Sequence, residues 1–174
     1  MPQVRARAGG ANRPFFAVLA AALAVGGVPA CEQPPNTLEG SLTEIIDLEF
    51  QSVEVSITEW QVIVGYWTPH LEGRDIVFKL VANKRPNEVV PGEAIELSPR
   101  EDGTARATCT RSVADDPIRT YAAIKSGTLV LDAIPVLDGA VGGEFRVTFD
   151  EGGDAGKGRT AFGRFRTLKV APGN

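Results

Sequence analysis

The chain has 174 residues, with 18 Lys and Arg against 22 Asp and Glu and a formal net charge of −4. This acidic balance disfavours nucleic acid as a partner and a peripheral hold on anionic lipid. Its 174 residues fit one domain after a short leader, and that length can bury a core without disulfide staples.

Residues 1–30 have the arrangement of a secretory signal peptide. Arginines occur in residues 1–14 without an acid, and residues 15–28 are apolar or glycine without a charge. That run is shorter than the roughly 20 residues of a transmembrane helix. We therefore expect residues 1–30 to be removed from the mature protein.

Val28-Pro29-Ala30-Cys31 resembles a bacterial lipobox, in which an aliphatic residue stands three positions before the cysteine and a small residue one before it. The resemblance implies that Cys31 is diacylated and becomes the new N-terminus. Two prolines among polar residues follow, which predicts a flexible tether over residues 31–38 and a single domain over 39–174. The alternative is plain secretion with a Cys31–Cys109 disulfide.

The mature chain alternates apolar and polar residues with period two, which is typical of half-buried strands. The alternating sets predict about 8–10 short strands in an antiparallel β-sandwich or a partly open barrel. They are Ile46–Phe50, Val53–Ile57, Trp60–Tyr66, Ile76–Leu80, Ala94–Leu97, Ala105–Cys109, Thr120–Ile134, Phe145–Phe149 and Thr160–Val170.

Two stretches leave room for other interpretations. Asp116-Pro117 is a good helix start, but Thr128, Val130 and Ile134 favour a strand after it, bent near residues 126–127. The phase of the alternation changes near residues 51–52 and 58–59, which predicts turns or bulges there. Trp60 shares the parity of Val62, so we expect it in the core.

The charges are unevenly distributed along the chain. Residues 31–73 contain no base and residues 155–174 contain no acid. Either the folded surface is bipolar and selects a partner, or the first and last strands are neighbours and pair their charges. The second interpretation is favoured, because exposed strand faces need charges in any fold.

The residues that usually carry catalysis are scarce. His70 is the single histidine and lies in a predicted loop, and the usual serine hydrolase motifs are missing. Cys109 has the inward parity of its strand, so we expect a buried, reduced thiol. We therefore predict a protein that is not an enzyme and carries no cofactor.

Two weak candidate sites remain. The loop 150–158 fits neither a phosphate loop nor an EF-hand, but Asp150, Glu151 and Asp154 could form a loose calcium site. Trp67 and Tyr121 are aromatic side chains that could stack on a ligand, and Trp67 has the outward parity of its strand.

The run LEGSLTEIIDLEF, Leu38–Phe50, together with the lipobox, resembles small lipoproteins of myxobacteria. The resemblance implies a location in the cell envelope, at the outer membrane rather than the inner one, and no catalytic residues. The expected function is a membrane-anchored binding or scaffolding module, with an envelope protein or a glycan as partner. A carbohydrate or small-ligand binder and a secreted hydrolase without a familiar motif are the alternatives.

Overall fold

Nine strands and one short 3-10 helix are present in the computed structural model, which describes residues 36–71, 73–85, 89–116, 121–133, 139–151 and 158–168. The 3-10 helix is Ser41–Glu44. The strands are β1 Thr37–Glu39, β2 Ser52–Ile57, β3 Gln61–His70, β4 Gly73–Asn83, β5 Ala94–Glu96, β6 Ala107–Ser112, β7 Ile124–Ala133, β8 Ala140–Phe149 and β9 Thr160–Leu168.

The strands form two antiparallel sheets. One has five strands in the order β1-β9-β8-β7-β5, and the other has four in the order β2-β3-β4-β6. The two sheets do not close into a barrel, so the architecture is the predicted all-β sandwich.

The core lies between the sheets and is filled by the inward residues of each alternating set. On β3 the inward side chains of Val62, Val64 and Tyr66 are fully buried. The ring of Phe78 stacks on that of Phe145 with centroids 5.4 Å apart, which joins the middle of β4 to the middle of β8. Period two therefore sets both the strands and the core, as expected.

The two lateral sides of the sandwich differ. On one side β2 lies against β9, and Tyr66 Oη donates a hydrogen bond to the Arg164 carbonyl oxygen at 3.2 Å. We call this the closed side. On the other side β6 faces residues 121–124 across a cavity, and we call this the open side.

The closed side also brings the two ends of the domain together. β1 pairs with β9, and Arg159 forms an ion pair with Glu44 and donates to the Ser41 carbonyl oxygen at 2.9 Å. The first and last strands are neighbours, as the favoured interpretation of the charge pattern expects, but Glu44–Arg159 is the one ion pair between the two charged segments among the described residues. Leu38 is buried within β1, so the folded domain begins before the expected boundary at Glu39.

The segment from Ile46 to Phe50 is not a strand, contrary to the prediction. Ile46 and Leu48 are buried as the alternation requires, but the backbone forms other hydrogen bonds. Asp47 Oδ1 accepts from the Glu49 backbone N–H at 2.8 Å, and the Asp47 carbonyl oxygen accepts from Arg111. Local side-chain acceptors of this kind compete with ladder bonds.

Trp60 is 58% exposed, so its predicted place in the core is wrong. The predicted strand begins one residue too early. Thr58–Trp60 forms the turn between β2 and β3, and β3 starts at Gln61. Thr58 Oγ1 accepts from the backbone N–H of Gln61 at 3.0 Å, which fixes that turn. The predicted phase change at residues 58–59 is therefore confirmed as a turn.

β4 departs from simple alternation through a register irregularity between Ile76 and Lys79. Val77 and Phe78 are consecutive residues, and both are buried. A bulge makes this possible, because its extra residue shifts the side-chain phase of the strand. Strict alternation would place Val77 on the face opposite that of Phe78.

Candidate functional site

A groove lies on the outer face of the five-stranded sheet. Its volume is about 620 Å³. The side chains that form it are the outward members of β1, β9, β8 and β7, namely Thr37, Glu39, Phe162, Arg164, Glu144, Arg146, Thr128 and Val130. We call it the outer groove.

Strand register aligns the groove residues in two rows. In the first row Glu39 is opposite Phe162, Phe162 is opposite Arg146, and Arg146 is opposite Thr128. Directly opposed residues on one face of an antiparallel pair lie about 4.5–5.5 Å apart at their Cβ atoms, so their side chains interact. A carboxylate, an aromatic ring, a guanidinium and a hydroxyl thus follow one another across four strands.

Arg146 and Phe162 form the centre of this row. The guanidinium carbon of Arg146 lies 4.8 Å from the centroid of the Phe162 ring, a cation–π arrangement. Among the described residues no carboxylate forms an ion pair with Arg146. The Phe162 ring therefore orients the guanidinium of Arg146, and no described carboxylate is paired with it.

The second row is Thr37, Arg164, Glu144 and Val130. Arg164 Nη2 and Glu144 Oε2 are 3.1 Å apart, and both side chains are more than half exposed. An ion pair in such contact with water contributes little stability. Both groups can therefore exchange their mutual contact for a contact with a ligand.

The groove continues toward the end of β7. An adjoining cavity of about 280 Å³ shares Val130, Glu144 and Arg164 with it and adds Asp132 and Arg166. Gly142 leaves room for Asp132 here, since a Cβ at Gly142 would lie 2.7 Å from Asp132 Oδ1. The same face therefore offers an extended polar surface rather than a single closed pocket.

Trp67, one of the two aromatic candidates, lies on the other sheet and outside the groove. The guanidinium of Arg74 covers its ring at 4.6 Å, and Arg74 is also paired with Glu54. Trp67 is half-buried over Gly65, whose Cβ would approach Trp67 Nε1 to 2.7 Å. Any ligand stacking on Trp67 would have to displace Arg74 or use the ring edge.

Tyr121, the other candidate, lies in the core. Its ring stacks on Phe149 with centroids 5.3 Å apart, and its Oη donates to the Val77 carbonyl oxygen at 3.3 Å. Burial raises the pKa of the Tyr121 hydroxyl. Tyr121 also lines the open-side cavity.

The remaining predicted sites are only partly within the described residues. Cys31 and Asp154 lie outside them, so lipidation and the calcium site stay predictions. Asp150 and Glu151 are exposed, and the Glu151 backbone N–H donates to Asp150 Oδ1 at 2.8 Å. Over the described ranges, no group of three or more His, Cys, Asp or Glu side chains could hold a metal ion.

Cys109 is buried and free, as the strand parity predicts. Burial raises the pKa of its thiol, which keeps the thiol protonated and unreactive. His70 is exposed at the end of β3, opposite Gly73.

Sequence reasoning missed Arg146, Phe162 and Arg164. Each occupies an outward position of a predicted strand, and that parity is visible in the sequence. Their meeting depends on β9 lying between β1 and β8, which no local pattern specifies.

In comparisons with protein families, with curated proteins and with solved structures, the chain has no match. Within the described ranges, no helix has the length and apolar character of a membrane span.

Proposed function

We propose that the mature protein is a non-catalytic binding module, held at the envelope membrane by lipidated Cys31, that recognises a carbohydrate in the outer groove. The observation that carries this proposal is the Arg146–Phe162 pair, in which a guanidinium without an ion pair among the described residues lies over an aromatic ring in the outer groove.

The chemistry of the groove suits a sugar. A sugar ring has apolar C–H faces that pack on aromatic rings, and hydroxyl groups that both donate and accept hydrogen bonds. Arg146 covers a face of the Phe162 ring, so a sugar that packs on Phe162 must displace Arg146 or use the ring edge. Arg146 and Arg164 supply donors, and Glu39 and Glu144 supply acceptors. The volume of about 620 Å³ is within the roughly 300–1,000 Å³ of small-molecule sites.

The proposed anchor follows from the first residues of the chain. The basic segment, the apolar run and Val28-Pro29-Ala30-Cys31 support acylation of Cys31. Two or three acyl chains give stable membrane attachment, where one chain is marginal. β1 begins at Thr37, and the six Cα–Cα steps from Cys31 to Thr37 span at most about 22 Å. The outer groove would therefore act close to the membrane, which we take to be the outer one.

Binding rather than catalysis is supported by the state of the groove carboxylates. Glu144 is paired with Arg164 and exposed to water, and Glu39 is exposed at the edge strand β1. General acid–base catalysis needs a group whose pKa burial or a like charge has moved toward neutrality. Hydrolysis of glycans by the purified protein, abolished by Glu144→Gln, would contradict the proposal.

The ligand is tested with the full chain carrying Cys31→Ser, to keep it free of lipid. Binding to an array of envelope glycans and peptidoglycan fragments identifies the ligand, and calorimetry then measures its affinity. Phe162→Ala and Arg146→Ala should each weaken binding about tenfold or more, since each contact is worth about 1–2 kcal/mol.

Arg74→Ala is the matched control for these variants. It removes a guanidinium from an aromatic ring, Trp67, on the opposite sheet. Its affinity should equal that of the unaltered protein. Equal losses in all three variants, or glycan binding that none of them changes, would contradict the groove as the site.

The anchor is tested separately by mass spectrometry of the mature N-terminus from cells that produce the full chain. We expect acyl chains on Cys31, and we expect Cys31→Ser to release the protein from the membrane fraction. An unmodified Cys31 with a free amine would contradict the lipid anchor and leave the groove proposal standing.

A further inference from the structure

The open side of the sandwich contains a second cavity of about 310 Å³. It lies between β6, the connection from Leu97 to Arg106, and residues 121–124 at the entry to β7. β6 and β5 are the edge strands of their sheets on this side, so no ladder closes the gap between the two layers. The cavity is therefore an opening into the core and not a surface groove.

Its inner wall is apolar. Leu97, Ala107, Cys109 and Ile124 line it with side chains that are themselves buried in the core. An apolar wall with no carboxylate binds the hydrocarbon part of a ligand, and its volume is at the lower end of the range of roughly 300–1,000 Å³ for ligand sites. That size limits the hydrocarbon part to a short chain.

Among the described residues, Arg106 is the one charged residue that lines the cavity. Its Nε atom is buried and has no hydrogen-bond partner, and within the described residues no carboxylate forms an ion pair with it. The charge of Arg106 helps to lower the pKa of Glu96, but Glu96 Oε1 already accepts from the Ser98 backbone N–H and hydroxyl. A buried donor without an acceptor is rare in folded proteins and needs a reason.

Arg106 also borders a second, polar depression of about 510 Å³ on the solvent side. That depression is lined by charged side chains, among them Arg100 and Asp102. Arg106 therefore borders both the apolar cavity and the polar depression, whose lining also includes Glu96, Glu101 and Asp102.

We propose that the open-side cavity binds a short-chain aliphatic carboxylate, with its hydrocarbon chain beside Cys109 and its carboxylate on Arg106. The carboxylate would neutralise the charge of Arg106, and a guanidinium can bind a carboxylate through two parallel N–H···O bonds. This site is on the opposite side of the core from the β2–β9 contact and does not depend on the outer groove or on Cys31.

The experiment uses the full chain with Cys31→Ser and two probes of equal chain length, octanoate and octanol, below their aggregation concentrations. Calorimetry should show binding of octanoate, and Arg106→Met should weaken it by about tenfold to a hundredfold, as expected for loss of a charge-assisted hydrogen bond. Octanol should bind both proteins within about twofold of each other. Unchanged octanoate affinity in Arg106→Met, or no octanoate binding at all, would overturn the proposal.

Nuclear magnetic resonance of the protein with native Arg106 locates the ligand without relying on a variant that could misfold. Octanoate should shift the amide signals of residues 107–110 and 121–124. Shifts confined to the outer groove, or spread evenly over the surface as by a detergent, would also overturn it.

Discussion

The closed and open sides of this sandwich are built from the same kinds of strand but are completed differently. On the closed side, β1 extends the five-stranded sheet, β2 lies against β9, and Tyr66 and Arg159 bond across the junction. On the open side, β5 has three residues and the layers stay separated by a cavity that reaches Cys109. The comparison teaches that one side has contacts that stabilise the fold, whereas the other leaves space for a ligand.

The largest effect should come from filling the closed side where it has no space. A Cβ at Gly163 would lie 2.2 Å from Phe145 Cε1 and 2.6 Å from Tyr66 Oη, so Gly163→Val must displace both rings. We expect it to lower the free energy of unfolding by about 3 kcal/mol. Ala105→Val adds similar volume at an exposed position of the open side and should change it by less than about 0.5 kcal/mol. Urea denaturation measures both, and equal losses would contradict the difference between the sides.

Cys109 on the open side should be shielded from water. Only a thiolate reacts quickly with thiol reagents, and burial raises the pKa of the Cys109 thiol. In the Cys31→Ser background at pH 8, labelling of the folded protein should be about a hundredfold slower than labelling in urea. Because Cys109 stays protonated when folded, stability should fall as the pH rises above the ordinary thiol pKa of about 8.5. Labelling at the unfolded rate would show that the cavity is open to water.

The third prediction compares two tyrosine hydroxyls. Tyr66→Phe removes the hydrogen bond to the Arg164 carbonyl oxygen and should cost about 1 kcal/mol. Tyr121→Phe removes a bond to the Val77 carbonyl oxygen, which still accepts from Arg111 Nη1 at 3.0 Å. Its cost should be about half as large, because the Val77 carbonyl oxygen keeps the hydrogen bond from Arg111. The order of the two unfolding midpoints tests this, and a larger loss in Tyr121→Phe would reverse the comparison.

The fold was accessible from the sequence because period two is a local property. The alternation of Val53, Val55 and Ile57 specifies a strand wherever its partner lies. It fails at residues 46–50, where Asp47 and Arg111 take the backbone groups that a ladder would need. The contact with Arg111 joins residues 64 positions apart, and no local pattern contains it.

The candidate sites were accessible only in part, for the same reason. Parity places Phe162 and Arg146 on outward faces, but their contact requires the register of β8 with β9. Arg106 has an outward parity too, and parity alone does not predict that its Nε is buried. Trp67 and Tyr121 were singled out by residue type, and tertiary packing then covered one with Arg74 and stacked the other on Phe149.

The smallest expected effect is a difference between the two sides in how salt changes the loss of stability caused by removing one carboxylate. Glu44 is exposed and paired with Arg159, so Glu44→Gln should cost about 0.3 kcal/mol in dilute buffer and nothing measurable in about 1 M salt. On the open side the pKa of Glu96 is lowered chiefly by the hydrogen bond from the Ser98 hydroxyl, then by that from the Ser98 backbone N–H. Its contribution should therefore persist in salt and disappear only as the pH falls through the lowered pKa. Chemical denaturation of Glu44→Gln and Glu96→Gln at two salt concentrations distinguishes them, and a salt-insensitive Glu44→Gln would show that the closed side does not depend on its ion pair.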